Sequence, residues 1–171
     1  MFGFNTVSLD AKGRISIPAR YRTDFKSQNQ NKIVITKDPQ YPSLKLYSGN
    51  EWDSISKKLQ SLQGLDPIVR NIQWTILGNA YQADIDINGR MLIRVPNDLQ
   101  KYAEIEEEKQ IALVGMGNKF EIWKINNWEM RQTGWSLSTE IFDVVLHESI
   151  KSVSDTHLLA HDTDSYIVCR L

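Results

Sequence analysis

The chain has 171 residues, 41% of them hydrophobic and 24% charged; that length carries one sizeable domain or two small ones sharing a core, and the composition excludes disorder throughout. A formal net charge of −1 argues against a protein held to nucleic acid by bulk charge alone. No run approaches the roughly 18 apolar residues of a membrane span, and a single cysteine, Cys169, excludes an internal disulfide framework and a Cys-rich zinc site.

The first residues, MFGFNTVSLDAKGR, lack the basic region and apolar stretch of a secretory signal, so the expected compartment is the cytoplasm. Val7-Ser-Leu9 and Ile15-Ser-Ile17 alternate about Lys12-Gly13, which predicts a hairpin with a two-residue turn. Residues 10 to 26 carry Lys12, Arg14, Arg20, Arg22 and Lys26 against only Asp10 and Asp24. This basic edge is balanced by an acidic tail, since residues 138 to 171 hold six acidic and two basic side chains. After Pro18 a short helix is expected, then strands at Ile33-Val34-Ile35-Thr36 and Leu44-Lys45-Leu46-Tyr47, with Lys45 facing solvent. Ser48 or Asn50 caps a helix reaching Leu62, with Trp52, Ile55, Leu59 and Leu62 on one face and Gly64 at its end. Asp66 as cap and Pro67 at the first position open another, carrying Ile68, Val69, Ile72, Ile76 and Leu77 toward the core.

The same order then repeats. Asp10-Ala-Lys-Gly-Arg14-Ile-Ser-Ile17 recurs as Asp86-Ile-Asn-Gly-Arg90-Met-Leu-Ile93, 76 positions on. Leu44-Lys45-Leu46-Tyr47 with Trp52 recurs at the same offset as Phe120-Glu121-Ile122-Trp123 with Trp128. Between these matches the offset is 78, pairing Pro18 with Pro96 and Ile33 with Ile111: two extra residues near Arg94-Val95 are cancelled by a shorter turn at Gly115-Met-Gly-Asn118. Indels confined to connections are what a duplicated fold tolerates. The expected fold is therefore α+β and β-rich, with copies at residues 1–75 and 76–154 and a tail, 155–171, of unknown order. Each copy is read as four strands followed by two helices, the last pair at Asn127-Trp128 and from Ser138 to about Ser152.

The repeated D-x-x-x-R carries the chemistry. Across a tight turn Asp10 reaches Arg14, and Asp86 reaches Arg90, with Gly13 and Gly89 in the turns. Such a pair is either a staple of an exposed hairpin, worth about 0 to 1 kcal/mol, or a carboxylate orienting a guanidinium toward an outside anion. Arginine suits the second role because its planar fork grips a phosphate or a guanine edge.

VSLDAKGRISIPARYR, the second DINGRMLI, the strand ending KFEIW and the doubled architecture resemble the MraZ family of bacterial transcriptional regulators, over about residues 1 to 150. The resemblance implies two tandem AbrB-like swapped-hairpin units forming a pseudo-two-fold double β-barrel. It further implies a cytoplasmic, nucleoid-associated protein that assembles into a ring of roughly eight or more protomers. That particle would bind double-stranded DNA at direct repeats upstream of its own gene, at the head of the division and cell-wall gene cluster. Carried over, Arg14 and Arg90 match the DNA-contacting arginines, with Lys12 beside the first, Asp10 and Asp86 as orienting carboxylates, and Arg20, Arg22 and Arg94 as supporting basic residues. The second copy departs in having Asn88 for Lys12 and Asp98 and Gln100 for Arg20 and Arg22. The alternative within the same fold is an oligomeric scaffold or antitoxin-like partner binder.

Competing chemistry is sparse. His157 and His161 with Asp155, Asp162 and Asp164 have ligand-like spacing, yet read better as a solvated terminus, so no metal and no cofactor is expected. Trp52, Trp74, Trp123, Trp128 and Trp135 read as core or subunit-interface residues rather than base-stacking platforms. No nucleophile elbow, phosphate-binding glycine loop or paired acids stand in a recognisable context, so the chain is read as no enzyme and without catalytic residues.

Overall fold

The computed structural model describes residues 1–27, 32–63, 65–83, 85–86, 90–133, 140 and 143–148. Residues 1–130 form one compact unit and 131–171 another. In the second, residues 143–148 are helical. Among the described residues no helix is long and apolar enough to cross a membrane.

The elements in chain order are β1 (Phe2–Ser8), β2 (Arg14–Ser16), α1 (Ala19–Ser27), β3 (Ile33–Lys37), β4 (Ser43–Ser48), α2 (Gly49–Ser61), α3 (Pro67–Ile76), β5 (Tyr81–Ala83), β6 (Ile85–Asp86), β7 (Leu92–Arg94), α4 (Asn97–Tyr102), β8 (Gln110–Met116), β9 (Lys119–Trp123) and α5 (Ile125–Thr133). The molecule is thus α+β and strand-rich, with antiparallel sheets throughout. One sheet has six strands in the order β1-β8-β9-β4-β3-β5, the other three in the order β2-β7-β6.

Strand pairing crosses repeatedly between the earlier and later parts of the chain. β1 runs along β8 from Phe2 opposite Met116 to Ser8 opposite Gln110, and β5 lies along β3, Ala83 opposite Ile33. β4 pairs with β9 so that Lys45 faces Glu121, its own counterpart at an offset of 76. β2 pairs with β7, Ser16 facing Leu92, again 76 positions apart. The hairpin expected between Val7-Ser-Leu9 and Ile15-Ser-Ile17 is reduced to one bridge, Leu9 to Ile15, with β1 paired along β8 and β2 along β7 in separate sheets.

One core collects side chains from both parts: Ile15, Ile17, Ile33, Ile35, Leu44 and Leu46 with Ile93, Ile111, Leu113, Phe120 and Ile122, all fully buried. Burying each such side chain contributes about 1.5 to 3 kcal/mol. On the opposite face of β8, Ala112 and Val114 pack with Trp123, Tyr41, Ile125 and Trp128. β8 is covered on both sides, which explains its unbroken apolar run Ile111-Ala112-Leu113-Val114 where an exposed strand would alternate. Lys45 is not a solvent-facing residue as its alternation suggested: its side chain is largely covered, with the ammonium 3.6 Å from the carboxylate of the buried Asp38.

The helices follow their local signals unevenly. Asp66 caps α3 by accepting from the Ile68 amide at 2.9 Å, with Pro67 in the first turn. Val69 and Ile76 are buried as expected, but Ile68 is 65% exposed and Trp74 62% exposed, since only one stripe of α3 meets the sheet. α2 begins after Ser48, whose hydroxyl makes no capping bond and is buried without a partner. Its end is held instead by Gln73, whose side-chain amide donates to the carbonyls of Leu59 and Leu62 at 2.8 and 3.0 Å. α1, the short helix expected after Pro18, has nine residues. Gly64, Trp135 and the histidine tail lie outside the described residues.

Candidate nucleic-acid interface

The first turn is built around Asp10. The Asp10 amide donates to the Arg14 carbonyl at 3.0 Å and the Gly13 amide to the Asp10 carbonyl at 3.0 Å. This leaves Ala11, Lys12 and Gly13 as a three-residue loop, one longer than the spacing suggested. Gly13 has φ +74°, the left-handed residue such loops require. Asp10 adds its side chain to the turn: Oδ1 accepts from the amides of Lys12 and Arg14 at 2.9 and 2.8 Å. Oδ2 accepts from Arg14 Nε at 2.8 Å.

Desolvation pushes the Asp10 carboxyl upward, but the Arg14 amide, the Arg14 guanidinium and the Lys12 amide together outweigh it and hold the group below its ordinary value. Asp10 is therefore an anion at neutral pH. Both side chains remain about one-third exposed, 37% and 34%, so the pair does not lock the guanidinium away from solvent.

The turn is seated on α4. A side chain at Gly13 would collide with Gln100 Nε2 and meet the Val95 carbonyl at 3.2 Å, and the Val95 amide donates to the Gly13 carbonyl at 2.8 Å. Gln100 is buried and donates to the Val95 carbonyl at 2.8 Å. Arg22, at the matching position in the earlier stretch, donates from Nε to the carbonyl of Ile17 at 3.0 Å, also five residues back. The two positions make the same tether, one with charge and one without. In the sequence Gln100 reads only as a lost arginine, and its tether to the residue five positions earlier is visible only in the folded chain.

The other basic residues divide between structure and surface. Arg20 lies over the Tyr21 ring, 4.5 Å from its centroid, and donates to the Tyr21 hydroxyl. That hydroxyl in turn donates to the Phe2 carbonyl at 2.8 Å and accepts from Asn5 at 2.9 Å, fixing β1. Lys12, Arg90 and Arg94 are exposed. At the second turn the structure describes Arg90 and the backbone of Asp86, with Ile85 and Asp86 paired to Ile93 and Leu92. The Asp86 side chain and residues 87–89, Gly89 included, lie outside the described residues.

Beside the first turn is a cleft of about 460 Å³ lined by Asp10, Lys12, Arg94, Lys101, Glu106 and Glu108 among others. Its charges balance. Among the described residues no cluster of His, Cys, Asp or Glu is arranged to hold a metal ion.

Comparison with known proteins gives a consistent result. The model of the family described as "MraZ protein, putative antitoxin-like" matches residues 1–73 and again 76–138. The chain is 38% identical to a protein of Hydrogenovibrio crunogenus named transcriptional regulator MraZ, over 89% of this chain and 96% of that protein. It is 34% identical to a protein of the same name from Legionella pneumophila strain Corby, covering 89% and 97%, and 43% identical to one from Histophilus somni, covering 74% and 81%. With matches extending across most of its length at these identities, the chain belongs to the MraZ family.

Proposed function

We propose that this chain is a sequence-specific DNA-binding transcriptional regulator that acts without catalysis, in the cytoplasm and on the nucleoid. Its targets are direct repeats upstream of its own gene, in the division and cell-wall cluster. Residues 1–75 and 76–154 act as two swapped-hairpin repeats of a double barrel, a reading supported by strands that pair across the two stretches and place Lys45 on Glu121 and Ser16 on Leu92. Arg14 and Arg90 reach the DNA, with Lys12 beside the first; Asp10 and Asp86 orient them. Relatives named as transcriptional regulators support the role. The observation that carries it is the first turn. A carboxylate held ionised by two backbone amides accepts from Arg14 Nε at 2.8 Å on a partly exposed surface, which supports the reading of Arg14 as a guanidinium oriented for an outside anion.

A protein of net charge −1 needs several such contacts at once. We read the active species as a ring-shaped homo-oligomer of roughly eight or more protomers, whose multivalency raises avidity on the order of 10² to 10⁴. Exposed Phe2, Phe4 and Met116 on the edge strand and its neighbour, and Ile68 and Trp74 on α3, supply apolar surface suited to subunit contact.

The test is a shift assay with duplex from upstream of the protein's own gene, run on wild type, Arg14→Ala and Arg90→Ala while sedimentation follows assembly. Either substitution is expected to weaken binding at least tenfold with assembly intact. Loss of assembly with unchanged DNA affinity per particle would favour the antitoxin-like partner binder that the family's description names.

A further inference from the structure

On the outward face of the three-stranded sheet two arginines stand opposite each other. β2 and β7 pair Arg14 with Arg94 and Ser16 with Leu92, while Ile15 and Ile93 between them point inward and are fully buried. The Val95 amide donates to the Gly13 carbonyl at 2.8 Å and the Ile17 amide to the Met91 carbonyl at 2.9 Å. By the alternation of an antiparallel ladder, Arg14 and Arg94 are then a non-hydrogen-bonded pair. That is the kind in which Cα atoms approach to about 4.5 Å and side chains lie closest.

Like charges directly opposite on one sheet face are destabilising unless something negative joins them. Asp10 takes the Nε edge of Arg14, and no carboxylate among the described residues is ion-paired with Arg94, which is exposed. We propose that Arg14 and Arg94 together hold one backbone phosphate of the DNA, on the outer face of the β2 and β7 pair. This deepens the regulator reading and rests on it.

The site belongs to the first hairpin alone. Carrying the ladder one step beyond Ile17 and Met91 brings Pro18, which has no charge, to the position of a partner for Arg90. Arg94 itself lies where the later stretch carries two residues that the earlier one lacks. Arg94 also borders the neighbouring cleft, whose carboxylates Asp10 and Glu108 are engaged by Arg14 and Lys124. The two hairpins are therefore unequal: the first grips the backbone with two guanidinium groups, the second with one.

The experiment is a fluorescence anisotropy titration of the full chain across a series of salt concentrations. Its probes are duplex from upstream of the protein's own gene and a scrambled duplex of the same length. Arg94→Ala is expected to weaken both complexes by a similar several-fold factor and to reduce the magnitude of the salt slope by about 1 for each protomer engaged. Arg94→Lys should keep the slope, sedimentation should be unchanged in both variants, and the melting temperature of free Arg94→Ala should not fall, since one of two opposed like charges is removed. Wild-type binding that weakens in Arg14→Ala but keeps its affinity and slope in Arg94→Ala would overturn the paired site and leave the regulator reading standing. So would a lower melting temperature in Arg94→Ala without any slope change, since Arg94 would then be a structural contact of the sheet. No wild-type binding to either duplex would remove the regulator reading and this site with it.

Discussion

Asp10 makes the first turn both a structural and an electrostatic device, and its titration sets where that device fails. Its folded-state pKa lies below the ordinary 3.8. The stability it contributes is therefore complete above that value and is lost only as pH falls through the depressed one. With both partners one-third exposed, the amount is at most about 1 kcal/mol. The Arg14 Nε–H resonance, followed by NMR, should hold constant from pH 8 to pH 5 and move only below about pH 4; movement near pH 6 would mean that Asp10 is not the group holding Arg14. Arg22 makes a contrasting prediction. Because Gln100 forms the equivalent tether without charge, Arg22→Gln should alter DNA affinity by less than about threefold and stability by less than about 0.5 kcal/mol. A tenfold loss of affinity would return Arg22 to the contact surface. The D-x-x-x-R spacing made the carboxylate and its arginine legible in the sequence. Gln100 was not, because a glutamine on a short helix gives no sign of burial until the glycine it packs against is known.

Among the elements, the two N-terminal caps separate signal from consequence. Asp66 bonds the Ile68 amide, so Asp66→Ala should destabilise by about 1 kcal/mol. Ser48, an equally good cap by residue type, makes no capping bond and is buried with its hydroxyl unpaired. Ser48→Ala should therefore cost less than about 0.5 kcal/mol, or stabilise. Chemical denaturation of the two variants measures the difference, and equal losses would contradict the assigned geometry. Periodicity located α2, α3 and the inward stripe Val69 and Ile76, but not the edge of that stripe, so Ile68 was placed inside although it is exposed. Alternation found β2, β3, β4 and their later counterparts correctly as strands. It could not find their partners: β1 lies on β8 rather than on its sequence neighbour, because pairing between distant strands is decided by length and core access, which no local window contains.

For the whole molecule, the consequence of the fold is that stretches far apart in sequence share one core and set their turns from common sheets. Gly13 rests on Val95 and Gln100, so a defect in α4 reaches the first hairpin directly. The central claim is that a nearly neutral protein binds DNA through a few well-held arginines multiplied by assembly. The most direct measurement is the salt dependence of wild-type affinity for duplex from upstream of its own gene. The account predicts a linear decline of log affinity with log salt of slope steeper than about −3, as several phosphates release their counterions together. A flat response, or a slope no steeper than about −1, would contradict it.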